Sequence, residues 1–278
     1  VALEFGQLFR RLGSRVTIVE RGPQLLGRED PEISAELMRI LSSEGIAFHL
    51  NARVEEVTRN RTGEIIMRLE MDGAGYRLTG SHLLAAVGVT PNTEALNLRA
   101  ANVQTDAHGY IKVDEKLSTT QPGIYALGDV KGGPRFTHIS YDDYRIVLAH
   151  LMGEPGATTV GRMVPYTVFT DPQLAHIGLH EQEARGLGYA VRVASIPMNY
   201  VARAIEIGQE KGLMKAVIDG HTGQILGATV LGTQGGEVMA MLQIAMMGKL
   251  PYTALRDGTF AHPTLAESLN TLFSYIQE

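Results

Sequence analysis

Apolar positions recur every three to four residues at the start of the chain, where Ala2, Phe5, Leu8, Phe9 and Leu12 predict a helix with one apolar face. Gly13 stops that pattern as a helix C-terminal glycine does, and Val16–Val19 follows as a short β-rich strand with Glu20 at its end. A second helical pattern over Pro31–Glu44 places Ile33, Leu37, Ile40 and Leu41 on one face before Gly45. Phe48–Val57 then alternates as one strand, and residues 64–70 and 76–79 predict a hairpin around Asp72-Gly73-Ala74-Gly75. Leu83–Val87 and Ile124–Leu127 are short apolar runs that predict buried strands, the first ending at Gly88 and the second at Gly128-Asp129. Ser140–Met152 predicts a helix, with His138 and Ile139 at its start, and residues 153–163 predict a linker. The pattern changes over residues 164–232 to alternating apolar runs, two of them joined by Asp219-Gly220-His221-Thr222-Gly223, a hairpin signal. Gly236–Gly248 is a methionine-rich helix, apolar on too many faces for a surface helix and therefore expected in a core or an interface. Its methionines are expected as gap-fillers rather than metal ligands.

Composition narrows the classes. The 278 residues suffice for about two domains, and 44% hydrophobic residues can fill a sizeable core. A net charge of −5 argues against sequence-independent nucleic-acid binding, which needs a basic surface. No run of about 18 apolar residues is present to form a membrane span. Cysteine is absent, so this chain supplies no disulfide, thiolate metal site or cysteine nucleophile. A reducing, cytoplasmic location is the expectation that fits. The chain opens at Val1 directly in helical pattern and is expected to be the later part of a longer protein.

Several stretches carry candidate chemistry. In T-F-A-H-P-T-L-A-E-S-L (259–269), proline is favoured at a first helical position, so a helix is expected to begin at Pro263 with His262 just outside it. Glu267, about one turn inside, can then hold the imidazole in one tautomer and favour its protonated form, giving a general acid/base pair. A helix cap with an incidental histidine fits the same residues. The opening helix, turn, strand and Glu20 fit the second half of a dinucleotide-binding βαβ unit, with Ala2 at the last position of G-x-G-x-x-G/A. Glu20 then accepts the adenosine ribose hydroxyls and favours NADH, with adjacent Arg21 softening that preference; an ordinary helix–strand pair ending in a surface charge is the alternative. Gly88 in G-V-T-P-N and Asp129 in Y-A-L-G-D-V each end an apolar run, where α/β sheets open ligand crevices, although a plain Pro-Asn turn also accounts for the first. Backbone N–H groups at His138 and Ile139 would face an electron-rich ligand atom.

These signals in this order, together with A-V-G-V-T-P-N and H-P-T-L-A-E, resemble the flavin-dependent pyridine nucleotide-disulfide oxidoreductases, a group that includes glutathione reductase, dihydrolipoamide dehydrogenase and mercuric reductase. Residues 136–147, 165–169 and 250–257 look closest to the reactive-chlorine-resistance branch. The resemblance implies an α/β fold: remnants of two Rossmann-like nucleotide-binding domains, for NAD(P)H and FAD, followed by an α+β dimerisation domain with an antiparallel sheet. The implied boundaries are 1–90 for NAD(P)H, with its first strand and glycine loop missing, 91–162 for the C-terminal part of the FAD domain, and 163–278 for dimerisation. It implies FAD contacts at Asp129 (ribityl chain), His138 and Ile139 (backbone near the pyrimidine ring). It implies NAD(P)H-side positions at Ala2, Glu4, Glu20 and Gly88. His262 and Glu267 become the acid/base dyad that serves the cysteine pair of the other subunit of a homodimer.

The implied activity is electron transfer from NAD(P)H through FAD to a cysteine pair, and on to a disulfide, oxidant-linked or metal-ion acceptor. The cysteine pair falls outside this sequence, and no C-terminal pair is present for mercury delivery of the usual kind. An NADH dehydrogenase reducing quinone without thiols, or a non-catalytic dimerisation and binding module, are the alternatives, and the chain by itself is expected to be inactive.

Overall fold

The computed structural model describes residues 1–277, which divide into two compact units. One joins Val1–Ala86 to Pro165–Glu278; the other is Val87–Val164.

The first unit opens with α1 (Ala2–Arg11), β1 (Thr17–Val19), α2 (Pro31–Ser43) and β2 (Ala47–His49). β1 and β2 pair in parallel, Ile18 against Phe48. α1 lies close on β1 because Gly6 carries no side chain; a Cβ there would come within 3.0 Å of Ile18 Cδ1. α2 begins with Pro31 at its first turn, and Ile33, Leu37, Ile40 and Leu41 are fully buried, as their spacing predicts. Each such side chain contributes roughly 1.5–3 kcal/mol by burial. The apolar stripe expected on α1 faces outward instead: Leu3, Gly6 and Gln7 are buried, whereas Phe5, Leu8, Phe9 and Leu12 are exposed. The residues that pack on β1 follow from the helix's placement, which its own periodicity does not set.

A three-stranded antiparallel meander follows: β3 (Arg53–Arg59), β4 (Ile65–Met71) and β5 (Ala74–Gly80). The single strand expected over Phe48–Val57 is therefore two, β2 and β3, broken where Asn51 turns left-handed at φ 51°. The hairpin turn is Asp72-Gly73, both at positive φ. Leu83–Val87 is not a buried strand; Leu83, Leu84 and Val87 are exposed, and among the described residues no strand pairs with them.

The second unit contains α3 (Thr137–Leu151), which starts three residues before the expected Ser140. Ile124–Leu127 is likewise not a strand: it makes one isolated bridge, Ser118 to Tyr125, and only Ala126 is deeply buried. Two small clusters, Val103/Ile111/Ala126 and Leu117/Ile146/Val147, form its core.

Returning to the first unit, β6 (Tyr166–Val168), β7 (Gln173–Gly178), α4 (Glu181–Gly186), β8 (Val191–Pro197), α5 (Ala202–Glu206), β9 (Leu213–Asp219) and β10 (Ile225–Gly232) follow in order. They are completed by α6 (Gly235–Met247), α7 (Tyr252–Arg256), α8 (Ser268–Ser274) and β11 (Ile276–Gln277). The strands form one antiparallel sheet in the order β11-β8-β9-β10-β7-β6. Leu174 and Leu231, partners across β7 and β10, join the core of α1, β1 and α2, so the opening segment and the sheet share one hydrophobic interior.

The next rung of that face is polar throughout. Ser195, Lys215, Thr229, His176 and Tyr166 are successive cross-strand partners on β8, β9, β10, β7 and β6. α6 buries Val238, Met239, Leu242 and Ala245, and exposes Ile244 and Met247.

Candidate active site

His262 and Glu267 meet, though not on the helix expected. The His262–Pro263 peptide is cis, residues 263–267 form turns, and α8 begins only at Ser268. Thr264 ties this turn together: its Oγ1 donates to Ala261 O at 2.7 Å and accepts from Glu267 N–H at 3.3 Å. Asn270 Nδ2 donates to the carbonyls of Leu255, Arg256 and Gly258, fixing the preceding loop. His262 Nδ1 sits 2.8 and 2.9 Å from the two oxygens of Glu267. Donation from Nδ1 leaves Nε2 as the proton-exchanging atom, on a ring that is 70% exposed. The hydrogen bond to Glu267, reinforced by its charge, holds the imidazole pKa above the ordinary value.

The nucleotide-side positions lie at the start of the same unit. Ala2 is the first residue of α1, and Glu20 directly follows β1. Glu20 Oε1 accepts Gly22 N–H at 2.7 Å, and its own N–H donates to His49 O. Glu4 accepts Phe169 N–H at 2.9 Å.

In the second unit, Gly88 has φ 119° and open space where a side chain would stand. Asp129 is exposed in the 3₁₀ turn Gly128–Lys131, and its carboxylate meets no hydrogen-bond partner among the described residues. His138 stacks on Phe136 with ring centroids 5.2 Å apart, and Ile139, itself buried, donates its N–H to Phe136 O. Asp143, unremarked in the sequence, organises this region: fully buried, it accepts Gly128 N–H at 2.8 Å, Lys131 Nζ at 3.2 Å and Arg162 Nη1 at 2.6 Å. Within an apolar helical pattern, an acid at such a spot was its only signal.

The polar rung of the sheet is closed over by the loop before α2 and by the start of α4. Lys215, 2% exposed, pairs with Asp30 at 2.8 Å, with Glu181 at 2.7 Å and with Glu32. Beside it, Tyr166 donates to Glu29 Oε1 and lies 3.3 Å from His180 Nε2, while the His176 and His180 rings stack 3.7 Å apart. Burial pushes the Glu29 pKa up to about 7 and that of His176 down to about 3, and it lowers that of His180. A lysine inside L-M-K-A-V-I and two histidines four apart in H-I-G-L-H are the sequence signals for this cluster. They gain meaning only once β7, a strand the pattern did not predict, is placed.

A helix–strand–helix–strand start with an acid after β1, a Gly-Asp turn ahead of α3, and a His–Glu pair at the end of an antiparallel α+β domain together define a class. The chain belongs to the pyridine nucleotide-disulphide oxidoreductase family, whose description matches residues 1–143 and whose dimerisation domain matches residues 164–273. Among individual proteins, it is 37% identical over 278 residues to the probable pyridine nucleotide-disulfide oxidoreductase RclA of Escherichia coli K12, covering 100% of this chain and 62% of that protein. It is 34% identical over 270 residues to the dihydrolipoyl dehydrogenase of Thermus scotoductus, covering 97% of this chain and 58% of that one. The mercuric reductase of Bacillus cereus is also 34% identical over 270 residues, with 97% and 42% covered. The solved Cu(II) complex of the HOCl-induced flavoprotein disulfide reductase RclA from Escherichia coli superposes with a TM-score of 0.90 at 38% identity, covering 97% of this chain and 60% of that chain. The chain thus spans about three fifths or less of the length of these relatives.

Proposed function

We propose that this chain serves a homodimeric flavoprotein that passes electrons from NAD(P)H through FAD to a cysteine pair and on to a disulfide, oxidant-linked or metal-ion acceptor. The observation that carries this reading is the contact of His262 Nδ1 with both oxygens of Glu267. With Glu267 holding Nδ1–H, exposed Nε2 takes a proton from a thiol, stabilises the thiolate and returns the proton later. FAD, when bound, supplies the two-electron chemistry between nicotinamide and thiols. The unpartnered Asp129 carboxylate suits a hydroxyl of the ribityl chain, and the backbone at His138 and Ile139 lies at the start of α3, where partial positive charge favours an electron-rich ring edge.

Glu20, with one oxygen held by Gly22 N–H, offers the other to a ribose hydroxyl and disfavours a 2′-phosphate, so NADH is the preferred donor. In this reading Ala2 and Glu4 of the first unit serve NAD(P)H, as does Gly88 of the second. Residues 1–90 then serve NAD(P)H, 91–162 FAD and 163–278 dimerisation, with the exposed Ile244 and Met247 of α6 turned to the second subunit. A Cu(II) ion is one acceptor within this reading, given the Cu(II) complex of the similar RclA.

The test is His262→Gln in the full-length protein. Turnover with a disulfide acceptor should fall about 10²–10⁴-fold, while bleaching of the flavin by NADH stays intact. Unchanged turnover would remove the dyad from the mechanism.

A further inference from the structure

Over the polar rung, two ligand-type atoms shut away from solvent have no hydrogen-bond partner among the described residues: Glu29 Oε2 and His180 Nδ1. Glu29 is 5% exposed, His180 6% and His176 3%. Leaving a buried polar atom unpaired is costly, so these two ask for an occupant. One ligand atom from each of the three residues can be chosen so that all lie within 4.8 Å of one another. The surroundings favour a cation. Carboxylates of Glu29, Asp30, Glu32, Glu181 and Glu183 gather here against the cations Lys215 and Arg28.

We propose that Glu29, His176 and His180 form a buried site for a divalent transition-metal ion, zinc foremost. Two imidazoles and one carboxylate are a ligand set that zinc favours, with copper(II) as the strongest competitor by intrinsic affinity. The supporting shell is in place. Tyr166 donates to Glu29 Oε1 and so orients the carboxylate, and His176 Nε2, 3.0 Å from Gly178 O, donates to it and leaves Nδ1 to face the ion. Thr229 Oγ1, 2.8 Å from that Nδ1, stands where the ion would bind and must swing aside about its Cα–Cβ bond to let it in. Each imidazole lone pair lies in the plane of its ring, so binding turns the two stacked rings out of parallel. The ion clasps the loop before α2 to β7 and to the start of α4, joining chain segments about 150 residues apart to one point.

The experiment strips the protein with a chelator, then titrates it with zinc alone by calorimetry and counts bound metal after dialysis. One zinc per chain is expected, with affinity falling about a hundredfold or more in both Glu29→Gln and His180→Asn. His221→Asn, in an exposed turn, should leave the affinity unchanged. No bound zinc, or one zinc per chain retained in both variants, overturns the proposal. Should either variant fail to fold, cobalt(II) loaded into the unaltered protein decides. The strong visible bands of a four-coordinate imidazole site support the assignment, and the weak spectrum of hydrated cobalt overturns it.

Discussion

Replacing Lys215 by Met tests whether the polar rung holds the first unit together. The Lys215 side chain is 2% exposed and Asp30 4%, with 2.8 Å between Nζ and Oδ2. Burial lowers the lysine pKa, but hydrogen bonds to Asp30, Glu181 and Glu32 more than reverse this, so the ammonium is charged throughout the neutral range. Methionine fills the same volume and removes only the charge and its donors. Glu32 and Glu181, 49% and 25% exposed, regain water when the lysine is lost, so each contributes little. Asp30 has no such recourse, and removing one partner of a buried pair costs about 3–5 kcal/mol.

For a unit of this size that corresponds to a fall of roughly 10 °C in Tm. The assay is urea unfolding followed by far-UV circular dichroism, since the chain has no tryptophan. Adding Asp30→Asn to Lys215→Met should recover about half of the loss, because the orphaned charge disappears, whereas adding Glu32→Gln should recover little. The sign follows with pH: a lysine whose pKa rises on folding stabilises below its unfolded pKa, and that stability fades as pH climbs through the folded value. A Lys215→Met cost below about 1 kcal/mol, or no rescue by Asp30→Asn, would refute the reasoning.

Three further outcomes are expected. In the full-length protein, Glu267→Gln removes the charge that raises the His262 pKa, so the limb of the kcat/KM profile reporting that group moves to lower pH; an unmoved limb would separate His262 from the rate. Glu20→Ser removes the acceptor for the ribose hydroxyls and the repulsion of a 2′-phosphate, and the ratio of kcat/KM for NADH over NADPH should fall about tenfold. Ile244→Glu together with Met247→Glu puts charge on the exposed side of α6, and sedimentation at micromolar concentration should change from dimer to monomer, while a monomeric parent protein would count against the assembly itself.

Much of the architecture is written locally. α2 begins at its proline and buries the four residues its spacing selects, and the β9–β10 hairpin turns at Asp219–Gly223. The pairing of His262 with Glu267 was legible because they lie five positions apart in the chain; the bends and turns over 263–267, rather than the helix expected, bring them together. The apolar runs at Leu83–Val87 and Ile124–Leu127 show where local reading stops. A strand exists through the backbone groups of a neighbour: the second run finds only one isolated bridge, and the first pairs with no strand among the described residues.

The sequence by itself therefore determined the helices with one dominant face, the tight turns, the His262–Glu267 contact and the family, since each depends on residues close in the chain or on an ordered set of motifs. Only the tertiary structure decided which face of α1 is buried, which apolar runs become strands, and that Tyr166, His176, Thr229 and Lys215 share one rung beneath Glu29 and Asp30. Strand register and the burial of charge arise from partners as much as 185 residues away, as between Asp30 and Lys215, and no periodicity in either segment encodes the other's position.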